Sequence, residues 1–248
     1  MGNQLVKQLL SLITPLRLQN MFFNEMNKKI LDKEKFKNLS YAQEGEDLIL
    51  CRYLDEKSDG FYVDIGAYHP KRFSNTYLFY LRGWTGINID ARPGFKDLFL
   101  KERPNDINIE CGVSEMENEM TYYMFEEPAL NTFSKMEADL KSRVNNFNII
   151  DKQIVQTKPL KIIFDKYLPK GQMIDFITID VEGLDLQVVL SNDWAKYRSK
   201  FILIEDLKRS DIAELIETSQ LYKKLTDLDY VLIAKTFNTL FFKDNLRS

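Results

Sequence analysis

The chain has 248 residues, 44% of them hydrophobic and 29% charged, which suffices for one large α/β core in a single main domain. Its formal net charge of -3 argues against a general nucleic-acid binder, which carries a basic face to neutralise phosphates. Two cysteines, Cys51 and Cys111, are too few and too far apart for a zinc site or a disulfide scaffold, so a reducing, cytoplasmic setting is expected.

Between Leu5 and Phe23 apolar residues recur at helical spacing, and Lys7 and Arg17 interrupt them before they reach spanning length. Residues 1–39 therefore read as an N-terminal helical extension, with no signal peptide or membrane span, and residues 40–248 as the main domain. A polar turn and amphipathic helix over residues 40–57 can turn Leu48, Leu50, Cys51 and Leu54 inward. Phe61-Tyr62-Val63-Asp64-Ile65 is a short apolar strand ending at Gly66, and residues 74–81 can form the helix that follows. Gly86-Ile87-Asn88-Ile89-Asp90 repeats this unit, with Pro93 suited to the first turn of a helix carrying Phe95, Leu98, Phe99 and Leu100. Residues 106–110 form a third strand. Residues 120–125 and 153–157 read as strands on either side of the charged segment 135–146, a surface helix or loop. A helix through Ile162 and Tyr167 stops near Pro169 and Gly171; residues 173–180 and 201–204 are then buried strands. Residues 230–234 and 239–242 close as an antiparallel hairpin around Asn238.

Strands alternating with helices imply a doubly wound parallel sheet, whose ligands bind beyond the carboxyl ends of the strands. Acidic groups fall at those ends: Asp64, Asp90, Asp180 with Glu182, and Glu205 with Asp206. Singly, each serves as well to cap a helix or close a turn; their joint placement points to one crevice. Gly66 lets a ligand approach the backbone, and Asp90, one βα unit later, suits both hydroxyls of a ribose, which suggests an adenosine-containing cofactor. A dinucleotide fingerprint needs further glycines for its pyrophosphate, but Ala67-Tyr68-His69-Pro70 follows Gly66. Asp64 would repel phosphates and suits the cationic methionine end of S-adenosylmethionine. His69, the only histidine, lies where a general base could reach an acceptor. Asp180, Glu205 and Asp206 form an oxygen-rich set suited to magnesium, manganese or calcium, or else simply order their loops. Arg72 could neutralise an acceptor phosphate and Asn131 could bind a sugar, although solvation or a packed turn accounts for each equally well.

Ser40-Tyr41-Ala42-Gln43-Glu44-Gly45-Glu46-Asp47, Tyr62-Val63-Asp64-Ile65-Gly66-Ala67, Gly86-Ile87-Asn88-Ile89-Asp90 and Ile179-Asp180-Val181-Glu182-Gly183, with Ile204-Glu205 behind them, resemble the FkbM family of methyltransferases. The family turn carries Asn and a further Gly after Gly-Ala, where this chain has Tyr68-His69-Pro70, a continuation similar to that of a bacterial branch. The resemblance implies a seven-stranded Rossmann-like sheet with a C-terminal antiparallel hairpin, and S-adenosylmethionine held by Gln43, Glu46, Asp64, Gly66, Ala67, Asn75, Asp90, Ala91 and Gly112. It implies methyl transfer to a sugar hydroxyl of a nucleotide-linked sugar or surface-glycan precursor. Expected roles are His69 and Asp180 as catalytic groups, a divalent metal on Asp180, Glu205 and Asp206, and acceptor contacts from Arg72, Asn131 and Glu182. Two other readings stay open, an NAD-type oxidoreductase and a catalytically silent ligand-binding module on the same scaffold.

Overall fold

A computed structural model describes residues 38–54, 57–144, 147–208 and 211–246. The expected N-terminal helical extension lies outside the described residues. In chain order the elements are α1 (Glu46–Leu54), β1 (Phe61–Ile65), α2 (Tyr77–Leu81), β2 (Thr85–Asp90), α3 (Phe95–Glu102), β3 (Ile107–Glu110), β4 (Gly112–Val113), β5 (Asn118–Phe125), a 3-10 turn at Pro128–Leu130 and α4 (Lys135–Val144). Then come β6 (Ile149–Lys158), α5 (Leu160–Tyr167), β7 (Ile174–Ile179), α6 (Asp185–Leu190), β8 (Ser199–Glu205), α7 (Ile212–Thr218), α8 (Gln220–Asp227), β9 (Tyr230–Lys235) and β10 (Thr239–Asp244).

Seven strands form one sheet in the order β3-β2-β1-β7-β8-β10-β9. The first five run parallel, and β10 pairs antiparallel with both β8 and β9. This is the doubly wound sheet with a terminal hairpin that the sequence led us to expect. Strand β1 sits inside it and is buried along its whole length, which explains its continuous apolar run. Side chains alternate between two cores, as the period of two requires. Val63, Ile65, Ile177, Ile179, Ile202 and Ile204 meet α5, α6, α7 and α8 on one face. Tyr62, Phe176, Leu203 and Phe241 meet α1 and α2 on the other. Among the described residues no helix is long and apolar enough to cross a membrane.

The middle of the chain departs from this alternation. Strands β4, β6 and β5 form a separate three-stranded sheet, with β6 antiparallel to β5 over a register longer than the sequence pattern indicated. Its outer face is polar except for Ile150 and Ile154, so periodicity marked only its buried half.

Asp64 falls on the α2 side of the sheet, where a buried polar network receives it. The Thr76 hydroxyl donates to Asp64 at 2.7 Å and accepts from Arg103 at 3.0 Å. Arg103, fully buried, also donates to Asp106 at 2.9 Å and to the Tyr62 hydroxyl at 2.6 Å, and its guanidinium lies over the rings of Tyr62, Tyr80 and Phe99. A buried charge needs such a partner and such donors.

At the carboxyl end of β1 the chain turns at Gly66 with φ +82, a left-handed conformation. A Cβ there would lie 1.7 Å from the Asp180 carbonyl oxygen, so glycine is required by the approach of β7 as well as by the turn. Gly66→Ala is expected to lower the unfolding free energy by about 3 kcal/mol or more. Thermal melting checks this; an unchanged Tm would contradict the close approach.

Candidate active site

Parallel strands that end level with one another leave a crevice beyond their carboxyl ends, because the chain must depart to opposite faces. Here that crevice is a cavity of about 820 Å³. Its floor comes from Gly66 after β1, Asp90 and Ala91 at the end of β2, Cys111 and Gly112 after β3, and Asp180 and Glu205 at the ends of β7 and β8. Its outer wall comes from the segment between β5 and β6, including Asn131, Phe133 and Lys141.

The Asp90 carboxylate is fixed by two backbone donors, Tyr68 N–H at 2.8 Å on one oxygen and Arg92 N–H at 2.7 Å on the other. Burial still raises its pKa above the usual carboxylate range, against these hydrogen bonds. Each oxygen keeps a lone pair for a hydroxyl donor, the chemistry of a diol site. Tyr68, at φ 47, is held in its strained turn by this contact and by Arg92, which donates to its carbonyl at 2.8 Å. The Tyr68 hydroxyl donates to Glu127 at 2.9 Å, and Arg72 forms a salt bridge with the same carboxylate at 3.0 Å. The loop after β1 is thereby tied to the loop after β5 over the cavity.

The second chemical feature is an acidic cluster. Asp180, Glu182 and Glu205 each offer a carboxylate oxygen, all within 4.8 Å of one another. Burial raises the pKa of all three, and mutual repulsion raises Asp180 and Glu205 further. Asp180 and Glu205 lie within hydrogen-bonding reach of each other, and no protein N–H or O–H reaches the buried Glu205 Oε2 among the described residues. Two carboxyl groups make such a contact only with a proton or a cation between them. Glu182 is presented by a left-handed turn at φ 55 and is gripped from α4: Lys141 donates to its carboxylate at 2.7 Å and to the Leu130 carbonyl at 3.1 Å. Thr132 Oγ1 donates to the Glu182 carbonyl at 2.8 Å. Asp185 orders the same loop by accepting from Val181 N–H and Gly183 N–H, both at 3.1 Å, and burial pushes its pKa up to about 7.

Of the residues named from the sequence, Gln43, Gly66, Asp90, Ala91, Gly112, Asn131, Asp180, Glu182 and Glu205 line the cavity. Glu46 and Asn75 instead border a small polar recess behind it, with Glu46 accepting from Thr239 Oγ1 at 3.1 Å and Asn75 donating to Thr178 at 2.9 Å. The structure turns Asp64 to Thr76 under the sheet and buries Ala67 against Phe95 and Phe99. His69 is also outside the lining: its Nδ1 accepts from the N–H groups of Lys71 and Arg72 at 3.1 and 3.0 Å, closing its own turn, while Arg72 is taken by Glu127. Asp206 points away from the metal set expected for it, accepting from Lys208 N–H and Ser219 Oγ, both at 3.1 Å. Consecutive residues leaving a strand face opposite sides, so Glu205 and Asp206 do not share a site. Glu182, and not Asp206, is the carboxylate that lies with Asp180 and Glu205.

Lys141 and Glu127 were not singled out from the sequence, and Tyr68 was named only as part of the turn after Gly66. Lys141 has a readable signal only in hindsight, its place beside Ala138 on the inward face of α4. Asp64 supplies a test of the buried network beneath the site. Burial raises its pKa to about 6, against the Thr76 hydrogen bond and the Arg103 charge. A raised acid is stabilising below its unfolded pKa and loses that contribution as pH rises through the folded value. Between pH 5 and 7.5 the native chain is expected to lose about 1 kcal/mol more stability than Asp64→Asn. Urea unfolding at the two pH values checks this, and equal slopes would contradict it.

The sequence pattern of the Methyltransferase FkbM domain matches residues 64–232, which include β1 from Asp64 onward, the acidic cluster and the start of the terminal hairpin. No curated protein matches the chain significantly. A match over more than half of its length, on the strands that build this crevice, establishes that the chain belongs to the FkbM family of methyltransferases.

Proposed function

We propose that the chain is an S-adenosylmethionine-dependent O-methyltransferase acting on a sugar hydroxyl of a surface-glycan or nucleotide-linked precursor. The observation that carries this reading is the joining, in one cavity, of a diol-binding carboxylate at Asp90 with the acidic cluster Asp180, Glu182 and Glu205. The sugar identity of the acceptor rests on the family resemblance.

The cavity fits the cofactor by its own features. Asp90 is held by backbone N–H groups so that its free lone pairs can take the two ribose hydroxyls, and Gly66 leaves the β1 turn without a side chain. Cys111 and Gly112 border the adjoining part of the cavity, and burial keeps the Cys111 thiol protonated by raising its pKa to about 11. When bound, S-adenosylmethionine supplies an electrophilic methyl group on a positively charged sulfur.

The remaining work belongs to the acidic cluster. A sugar hydroxyl is too weak an acid to ionise by itself, so a positioned base must accept its proton as the oxygen forms its bond to carbon. With Glu205 holding the proton between the pair, Asp180, open to the cavity and raised in pKa by burial and neighbouring carboxylates, takes the acceptor's proton at its other carboxylate oxygen. Lys141 holds Glu182 in place to bind the acceptor. The same three carboxylates fit a hard divalent cation, magnesium, manganese or calcium, which would lower the hydroxyl pKa as a Lewis acid.

Asp90→Ala should weaken S-adenosylhomocysteine binding by about 10- to 100-fold, the value of losing hydrogen bonds to a charged group. Calorimetry on the folded variant measures this, and an unchanged Kd refutes the ribose role. Asp180→Asn should retain that affinity and lose about 100- to 10,000-fold in kcat. Full turnover by the variant in a labelled-methyl assay would remove Asp180 from the chemistry. If a cation takes part, exhaustive chelation abolishes turnover and one divalent ion restores it; undiminished transfer after chelation excludes it.

A further inference from the structure

The cavity is lined unequally. Asp90, Asp180, Glu182 and Glu205 come from the strand ends and the loop after β7, while Phe73, Leu130, Phe133, Met136, Leu140 and Phe147 give the lining an apolar part, drawn mostly from the wall between β5 and β6. The apolar character does not stop at the mouth. On α4, Met136, Leu140 and Val144 follow at four-residue spacing, which places them on one face of the helix. They are 74%, 50% and 66% exposed, and Phe147 beyond them is 38% exposed. Single exposed apolar residues are ordinary on any surface. A row that starts in a binding cavity and continues outward along a helix is a surface prepared for a ligand.

Charge indicates which ligand. The lining contains six carboxylates, Asp90, Glu127, Glu137, Asp180, Glu182 and Glu205, against two lysines, Lys141 and Lys208. Lys141 is held by Glu182 at 2.7 Å. Arg72, on the loop after β1, is held by Glu127, and Arg92, after β2, donates to the Tyr68 carbonyl at 2.8 Å. Among the described lining residues there is no arginine fork for a diphosphate, and the carboxylates oppose one.

We propose that the acceptor is an uncharged, amphipathic glycoside, with its sugar hydroxyl at the acidic cluster and an alkyl or aromatic aglycone lying along Met136, Leu140 and Val144. Of the carriers named above, this favours a precursor on an apolar anchor over a nucleotide-linked sugar. The proposal rests on the methyl-transfer reading of the same cavity and narrows its substrate.

The test compares ligands that differ only in the apolar part. Octyl and methyl β-D-glucopyranoside, octyl and methyl β-D-galactopyranoside, all below the micelle threshold, and UDP-glucose are titrated into the full chain by NMR. Each titration is run with and without S-adenosylhomocysteine and magnesium. The octyl glycosides are expected to bind about 10-fold or more tightly than the methyl ones, and UDP-glucose more weakly than either octyl compound. Leu140→Asp, at a half-exposed position where thermal melting is expected to stay unchanged, should erase the octyl preference. Octyl binding no tighter than methyl, or UDP-glucose binding best, overturns the proposal. A dimer that Leu140→Asp dissociates, with no octyl preference, would assign the stripe to contact between copies and also overturn it. Absence of S-adenosylhomocysteine binding, by contrast, defeats the methyl-transfer reading, whatever the glycosides do.

Discussion

The approach of the β1 turn to the end of β7 is the constraint on which the site depends. Gly66 N–H and Ala67 N–H both donate to the Ile89 carbonyl, and Asp180 N–H donates to the Ile65 carbonyl at 3.0 Å. The ends of the neighbouring strands β2, β1 and β7 are thus locked by backbone bonds outside the regular ladder. No side chain fits between Gly66 and the Asp180 carbonyl oxygen. This holds the carboxylates of Asp90 and Asp180 in fixed relation on opposite sides of one turn. A methyl donor bridging the two ends would find both preorganised, which lowers the ordering cost of catalysis.

Around that fixed floor the groups are held in unfavourable states by their neighbours. Asp180, Glu182, Asp185 and Glu205 crowd together beyond the ends of β7 and β8, and each has its pKa raised. Glu182 and Tyr68 both occupy left-handed backbone that a side chain disfavours. The compensation comes from the outer wall, where Lys141 and Thr132 grip the Glu182 turn and Glu127 and Arg72 grip the Tyr68 loop. Strain and repelled charge at a site, offset by contacts from a second element, are the arrangement expected where function rather than stability has set the residues.

The sheet was legible in the sequence because its strands are short, apolar and buried on both faces, and because turn residues separate them from amphipathic helices. The acidic positions after those strands were legible for the same reason: Asp90, Asp180 and Glu205 sit where strands end. What the pattern could not give was the direction of side chains outside regular structure. Asp64 is inside β1, and its face of the sheet belongs to Arg103 and Thr76, a network built from residues far apart in the chain. His69 had a suggestive position, but it closes its own turn on Lys71 and Arg72. Asp206 follows Glu205 and turns the other way. Lys141 lay in a segment read as charged surface, and only packing against Glu182 distinguishes it from its exposed neighbours.

The central claim is that one cavity holds an adenosyl cofactor between Asp90 and the acidic cluster. A crystal structure of the chain with S-adenosylhomocysteine tests it most directly. The account predicts both ribose hydroxyls on the Asp90 carboxylate, the thioether facing Asp180, and the homocysteine end beside Gly66 and Gln43. Ligand bound elsewhere, or bound in this cavity with its ribose away from Asp90, would contradict it.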